Sequence, residues 1–312
     1  MPTITTTRRA ASVISTTSLT DMLDLILGPM TYGFMQRGLV AAVLVGIVCA
    51  VMGAFVVLRG LAFIGDAVSH AAFPGLVIAY LAGIPLYIGA AIAAVGTALA
   101  IGVVARRGAL RFDTAVGVLF AGMFALGILL FSTIQGYVAD LFGYLLGNVL
   151  GITFVDIVQI ALLGGVVLII VAILRKEFLY ASFDPAGAAA SGLPVVMLDY
   201  LLLGLIGVTI VVSIQAVGII MVVAMLVTPA ATGQLLVSQF WDLVKVAIAV
   251  ATVAAVAGLY LSFYLNVASG ASIVLIETML FGLALLLSPK SGLLRRHRPR
   301  AAGLPTVGVK PS

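Results

Sequence analysis

From Gly38 to Leu58 the chain runs 21 residues without a charge, between Arg37 and Arg59. A helix of about 20 residues is long enough to cross a hydrocarbon core, so this run predicts a membrane span. The next 46 residues, Gly60 to Ala105, carry only Asp66 and His70 as charged or imidazole side chains. That length holds two spans. AGIP at 82–85 marks the turn between them, because Pro cannot continue the helical hydrogen-bond ladder and Gly favours a turn. After RRGALR at 106–111, a fourth span covers about Thr114 to Ser132. FSTIQGYVADLFGYLLGNVLGI then mixes Gly, polar and apolar residues too densely for one straight lipid-facing helix. A short or re-entrant helix at about 139–152, buried by its neighbours, is expected there. A further full span, about Ile157 to Leu174, ends at Arg175 and Lys176.

RKEFLYASFDPAGAAASGLP, 175–194, is the longest polar interruption of the apolar pattern. It predicts a loop with a short helix: Asp184 as N-cap, Pro185 in the first turn, then AGAAAS, with Gly192 to Pro194 as the stop. Val195 to Val237 holds two spans, bent near 213–218 and closed by TPAATG. Two last spans, about Val246 to Leu265 and Ala271 to Leu287, are joined by NVASG. The predicted fold is all-α, a polytopic transmembrane bundle of eight or nine crossings. Residues 1–20 are expected to be a disordered polar tail with no cleaved signal peptide, 21–289 the membrane domain, and 290–312 a basic cytoplasmic tail.

Composition agrees with this pattern. Of 312 residues, 63% are hydrophobic and 9% charged, against roughly 25% charged in soluble domains. The net charge of +5 comes from short basic clusters between apolar runs and from the tail RRHRPR, which marks cytoplasmic loops and not nucleic-acid binding. RRGALR, the Arg175 loop and the tail are separated by even numbers of spans, so all three can share the cytoplasmic side with Arg59. The N-terminus is then outside, where Arg8, Arg9 and Arg37 run against the positive-inside bias. Either residues 22–35 add a crossing or an interfacial helix, or the tail departs from the rule. The 34 glycines and runs such as GAAIAAVGTALAIG let helices approach closely, since lipid provides no hydrophobic drive for their association.

The candidate chemistry is sparse. A charge at the bilayer centre costs about 2.5–3.5 kcal/mol on insertion scales, so Asp66 within a span is a functional candidate. His70 lies four residues on, about 5–6 Å away on the same helical face. Carboxylate and imidazole together suit zinc, manganese or ferrous iron. The other histidine, His297, is in the tail, so one chain offers two ligands: a weak transit site, or one completed by a second copy or by waters. The pair could equally hydrogen-bond to each other at a helix break without metal. Pro74 and Gly75 weaken the helix just beyond it. Glu277 is mid-span and a possible pathway residue or interface cap, and Asn148 could line a pore or hold helices together. Asp156 and Asp199 lie near span ends. Cys49, the one cysteine, excludes an internal disulfide, and Met221 with Met225 reads as core packing. GxxxxGK[ST], GxSxG and HExxH are all missing, so the chain is expected to be no enzyme and to rely on others for any ATP hydrolysis.

Four segments carry a family likeness: VLRGLAFIGDAVSHAAFPG, FDPAGAAASGLP, SIQAVGIIMVVAMLVTPAATG and NVASGASIVL. In this order they resemble the permease subunits of metal-importing ABC transporters of the manganese, zinc and iron class, over about residues 22–289. The resemblance implies a homodimeric permease in a bacterial cytoplasmic membrane, two cytoplasmic ATP-binding subunits and an external solute-binding protein. It implies a transported divalent metal and no permanently bound cofactor. The family's GDxxSH motif assigns metal coordination to Asp66 and His70. Its cytoplasmic coupling helix aligns with Asp184, Pro185, Ala186, Gly187 and Gly192, with Ala186 where the family commonly has an acidic residue. No family motif covers Glu277. A secondary transporter with Asp66 and Glu277 as gradient-coupling carboxylates is the alternative, and a passive channel or scaffold a third.

Overall fold

The computed structural model describes residues 27–288 except 109, 135–142, 144–146, 148 and 220. The amino- and carboxy-terminal tails and Asn148 therefore lie outside the described residues, as does most of the expected re-entrant segment. The helices are α1 (Gly33–Leu58), α2 (Ala62–Ala82), α3 (Leu86–Arg107), α4 (Phe112–Phe131), α5 (Phe154–Ile173), α6 (Arg175–Phe183), α7 (Pro185–Ala190), α8 (Val195–Val217), α9 (Val222–Leu236), α10 (Phe240–Leu265) and α11 (Ser269–Leu287). Short 3-10 turns precede α1 and α5, at Pro29–Thr31 and Val149–Gly151. Helix is what hydrocarbon demands, because each amide must find its partner within the segment.

Eight of these helices are long and apolar enough to cross a membrane. The shorter α9 crosses too: Met221, just before it, sits beside Gly270 at the start of α11, and Ser288, just after α11, donates to the Leu235 carbonyl at 2.8 Å. α9 thus covers the same depth as α11. Every described Lys and Arg except Arg37 lies at one end of the bundle, with Arg59, Arg106, Arg107, Arg111, Arg175, Lys176 and Lys245 all there. By the positive-inside rule that end is cytoplasmic.

Local boundaries follow Gly and Pro. α2 stops at Gly83, φ 67°, and α3 starts just after Pro85. α1 ends in a Schellman motif: Gly60 at φ 67° donates to Val57 O at 3.1 Å and Leu61 to Val56 O at 2.8 Å. The connection to α2 is therefore a rigid three-residue turn. Three expected boundaries shift. α1 begins at Gly33 and takes Arg37 into its first turns, and residues 27–32 form no crossing of their own. TPAATG lies inside α9 and does not close it. The 175–194 segment holds two helices, α6 and α7, not one.

α1 is the buried axis, packed by α5, α8, α9 and α10, while α2 packs on α3 and α4. Glycines set the closest crossings. A Cβ on Gly75 would stand 2.1 Å from the Gly89 carbonyl oxygen, and one on Gly89 equally 2.1 Å from that of Gly75. α2 and α3 thus meet backbone to backbone, as small-residue packing in lipid permits. α4 closes on the same place, since Gly127 faces Phe73 and Pro74.

Gly75→Ala should lower stability in detergent by about 1–3 kcal/mol or more, as overpacking does. Gly96, also in a span, has open space where a Cβ would go. Gly96→Ala should therefore stay within about 1 kcal/mol of wild type. Thermal unfolding of the two variants side by side checks both outcomes.

Candidate metal centre

α2 positions the Asp66/His70 pair. Asp66 is in the second turn from the cytoplasmic end and His70 one turn deeper. Ser69, fully buried, donates to the Asp66 backbone carbonyl at 3.0 Å, which keeps its hydroxyl off the carboxylate. His70 Nε2 lies 3.4 Å from Asp66 Oδ1, too far for a strong hydrogen bond. That separation fits two donors each about 2.1 Å from one cation, subtending roughly 110° at it. The side chains are 21% and 50% exposed, so the pair opens to one side of the helix.

Aromatic packing fixes the imidazole. Phe120 and Phe124 of α4 stand edge-on to it, with centroids 5.3 and 5.1 Å away. Their two rings are parallel within 4°. His70 Nδ1 is buried without a hydrogen-bond partner, so Nε2 is the nitrogen turned towards Asp66. One turn further on, Pro74 has no N–H to donate to the His70 carbonyl.

A cavity of about 220 Å³ adjoins Asp66 between α2 and α4, lined also by Phe63, Ala67, Val116, Phe120 and Asp113. Asp113, in the first turn of α4, has no motif that distinguishes it from an ordinary acidic N-terminal residue. Its place opposite Asp66 is a tertiary fact. No group of three His, Cys, Asp or Glu side chains close enough to hold a metal occurs among the described residues. One protomer therefore offers the Asp66 and His70 donors, and water or a second copy must supply the rest of a cation's shell.

At the cytoplasmic end, Asp184 Oδ1 accepts from the Gly187 backbone N–H at 2.9 Å, and Pro185 opens α7 as expected. A Cβ on Gly187 would crowd the Asp184 carboxylate, so a larger residue there would make that side chain shift. Gly192, φ 84°, ends the helix in a second Schellman turn, with Leu193 N–H on Ala188 O at 3.1 Å. Ala186 is exposed and Ala188 buried, so α7 shows one small-residue face to the cytoplasm.

The other candidates separate from the pair. Glu277 is fully buried on α11, packed by α9 and α10, and neither carboxyl oxygen has a hydrogen-bond partner among the described residues. The Cys49 thiol lies 3.0 Å from the Ser213 hydroxyl inside the bundle, and Met225 is core. Asp199 is not simply a solvated span-end carboxylate, for it takes ion pairs from both Arg59 and Arg106. Asp156 forms a capping box with Thr153 at the start of α5.

Comparison with known proteins agrees with this architecture. The manganese transport system membrane protein MntC of Halalkalibacterium halodurans is 45% identical over 280 residues, 90% of this chain and 95% of that protein. The chelated iron transport system membrane protein YfeD of Yersinia pestis is 42% identical over 265 residues, 85% of this chain and 89% of that protein. The structure of PsaBC from Streptococcus pneumoniae in complex with Fab superimposes with a TM-score of 0.78 at 34% identity, covering 86% of this chain and 97% of that one. The ABC 3 transport family profile matches residues 31–288, essentially the whole described bundle. The chain is a multi-pass membrane protein that belongs to the ABC 3 transport family.

Proposed function

We propose that the chain is the permease of an ATP-driven importer for a divalent first-row metal, manganese or ferrous iron, with Asp66 and His70 as the side chains that grip the ion in transit. The observation that carries this is the 3.4 Å gap between Asp66 Oδ1 and His70 Nε2, held by two phenylalanines within the first half of an apolar helix. Manganese and iron are the metals named for the relatives. Oxygen and imidazole donors without thiolate suit both, whereas Cu(I) would favour sulfur.

A divalent cation gives up water reluctantly, and a carboxylate in its path offsets part of that cost. Two protein donors lower the barrier to entry without making a deep trap, so release stays fast. The exposed side of the pair lies along α2 and α4, where a second permease copy would complete the shell. ATP-binding subunits would dock on α7 through Asp184, Pro185, Ala186, Gly187 and Gly192, and an external solute-binding protein would deliver the ion to the opposite face. No acidic side chain at Ala186 contributes, so docking rests on shape and on backbone groups. The gradient-driven alternative needs Asp66 and Glu277 to act together. The cavity beside Asp66 is lined by α2 and α4, whereas Glu277 sits on α11 among α9 and α10, which favours the ATP-driven scheme.

Uptake of radiolabelled manganese by cells expressing the complete transporter should fall at least about tenfold for Asp66→Asn and for His70→Gln at matched membrane abundance. Unchanged uptake in either variant would sink the assignment. Phe120→Ala, which touches no ligand atom and frees the imidazole, should weaken manganese binding to the purified transporter several-fold, roughly the lower end of outer-shell effects. Calorimetric titration reads that change, and an unaltered affinity would mean the aromatic pair does not hold His70 in place.

A further inference from the structure

We propose that the ion cluster of Arg59, Asp199 and Arg106 is the mechanical joint that carries movement of the docking segment to the metal-bearing helix α2. The proposal rests on the docking role assigned above to α7, and its three residues are positioning residues that do not touch the cation. Arg59 joins three parts of the bundle. Its Nη1 pairs with Asp199 Oδ1 at 2.6 Å on α8, and its Nε donates to Ser182 Oγ at 2.7 Å on α6. Ser182 in turn donates to Phe178 O at 2.5 Å and stands two residues before Asp184, the N-cap of α7. The second oxygen of Asp199 takes Arg106, at the end of α3. Arg106 also lies over the Tyr200 ring, 5.8 Å from its centroid.

The covalent side of the joint is stiff. Arg59 caps α1, and the Schellman turn fixes it to Leu61, so α2 leaves the cluster with no flexible linker. Asp66 follows seven residues later. A shift of α6 and α7 that pulls Ser182 must therefore move Arg59, and with it the first turns of α2. The cluster also has space and an unmade bond for a second arrangement. A cavity of about 550 Å³ is lined by Arg59, Arg106, Asp199, Ser182 and Pro185, the first residue of α7. Arg59 Nη2 is buried and has no hydrogen-bond partner among the described residues. Two guanidinium groups share one carboxylate, so Asp199 can strengthen one pairing as the other weakens. Side-chain exposures of 14% for Arg59 and 23% for Asp199 keep that pair from the full screening of bulk water, while Arg106 is more exposed. Coupling through packed elements requires an element with two arrangements that both sites bias, and this cluster has the parts of one.

The test uses the complete transporter, permease with its ATP-binding subunits and binding protein, in proteoliposomes, and reads manganese transported per ATP hydrolysed. Asp199→Asn should keep the ATP-binding subunits bound and ATP hydrolysis near wild type, while metal per ATP falls at least about fivefold, the lower end of usual coupling factors. Asp199→Glu should recover most of the ratio. Ser182→Ala leaves both ion pairs intact and cuts only the link to the docking segment. It should lower the ratio in the same direction, and it decides the matter alone if Asp199→Asn fails to assemble. A wild-type ratio in every assembled variant of these residues overturns the proposal. Asp66→Ala run in parallel separates the two readings: normal transport by it sinks the metal site, whereas the ratio for Ser182→Ala still reports on the joint. Loss of bound ATP-binding subunits on Gly192→Leu, which strains the turn after α7, tests the docking role on its own.

Discussion

A peptide backbone in hydrocarbon has no water to turn to, and each amide left unpaired there costs several kcal/mol, about 2–7 in apolar transfer. The described spans therefore close their hydrogen bonds within themselves, apart from the bonds lost at Pro74 in α2 and Pro229 in α9. Apolar side chains gain nothing by leaving lipid for one another, so helices hold together by close contact. At Gly75 and Gly89 this goes to the limit, with two backbones touching where any Cβ would collide. That contact sets the position of α2, and Gly127 of α4 closes over Pro74 at the same level. The Asp66/His70 pair inherits its place from these three glycines, and the phenylalanines beside His70 come from the same α4.

The polar groups of the membrane region divide by what they meet. Asp66 is half-exposed and faces a cavity, so its carboxylate keeps access to water and to a cation. Asp199 is partly covered, and two arginines neutralise it across three helices. Glu277 has neither, being enclosed and unpaired on both oxygens. Insertion scales put a charge at the bilayer centre at about 2.5–3.5 kcal/mol, and the cost is smaller towards a helix end, where Asp66 and Asp199 sit in the second turns of α2 and α8. Asp66 recovers part of this through its opening to one side, and Asp199 through its ion pairs. For Glu277 no compensating contact occurs among the described residues.

Much of this was legible along the chain because membrane rules act locally. The turn at AGIP, the N-cap at Asp184 with Pro185 behind it, and the stop at Gly192 each depend on the backbone preferences of one or two residues, and each lies where those preferences place it. The i, i+4 spacing of Asp66 and His70 brought them to one face, as helix geometry requires. Other features were hidden for physical reasons. Arg37 reads as a span boundary, yet a long side chain near a helix end can reach the interface while its backbone stays helical, so α1 starts earlier. α9 is short because the chain breaks at Gly218, φ 87°, and helix resumes only at Val222. Asp113 faces Asp66 only once α4 is packed on α2, and Asp199 meets Arg59 across 140 positions of sequence. No local pattern encodes either pairing.

The central claim is that one cation is held by the Asp66 carboxylate and the His70 imidazole at once. Manganese(II) is paramagnetic, so pulsed electron paramagnetic resonance on the manganese-loaded transporter reads its ligand nuclei directly. The account predicts nitrogen-14 modulation from a coordinated imidazole that disappears in His70→Gln while manganese remains bound through oxygen donors. Bound manganese without that modulation in the wild-type transporter would contradict it.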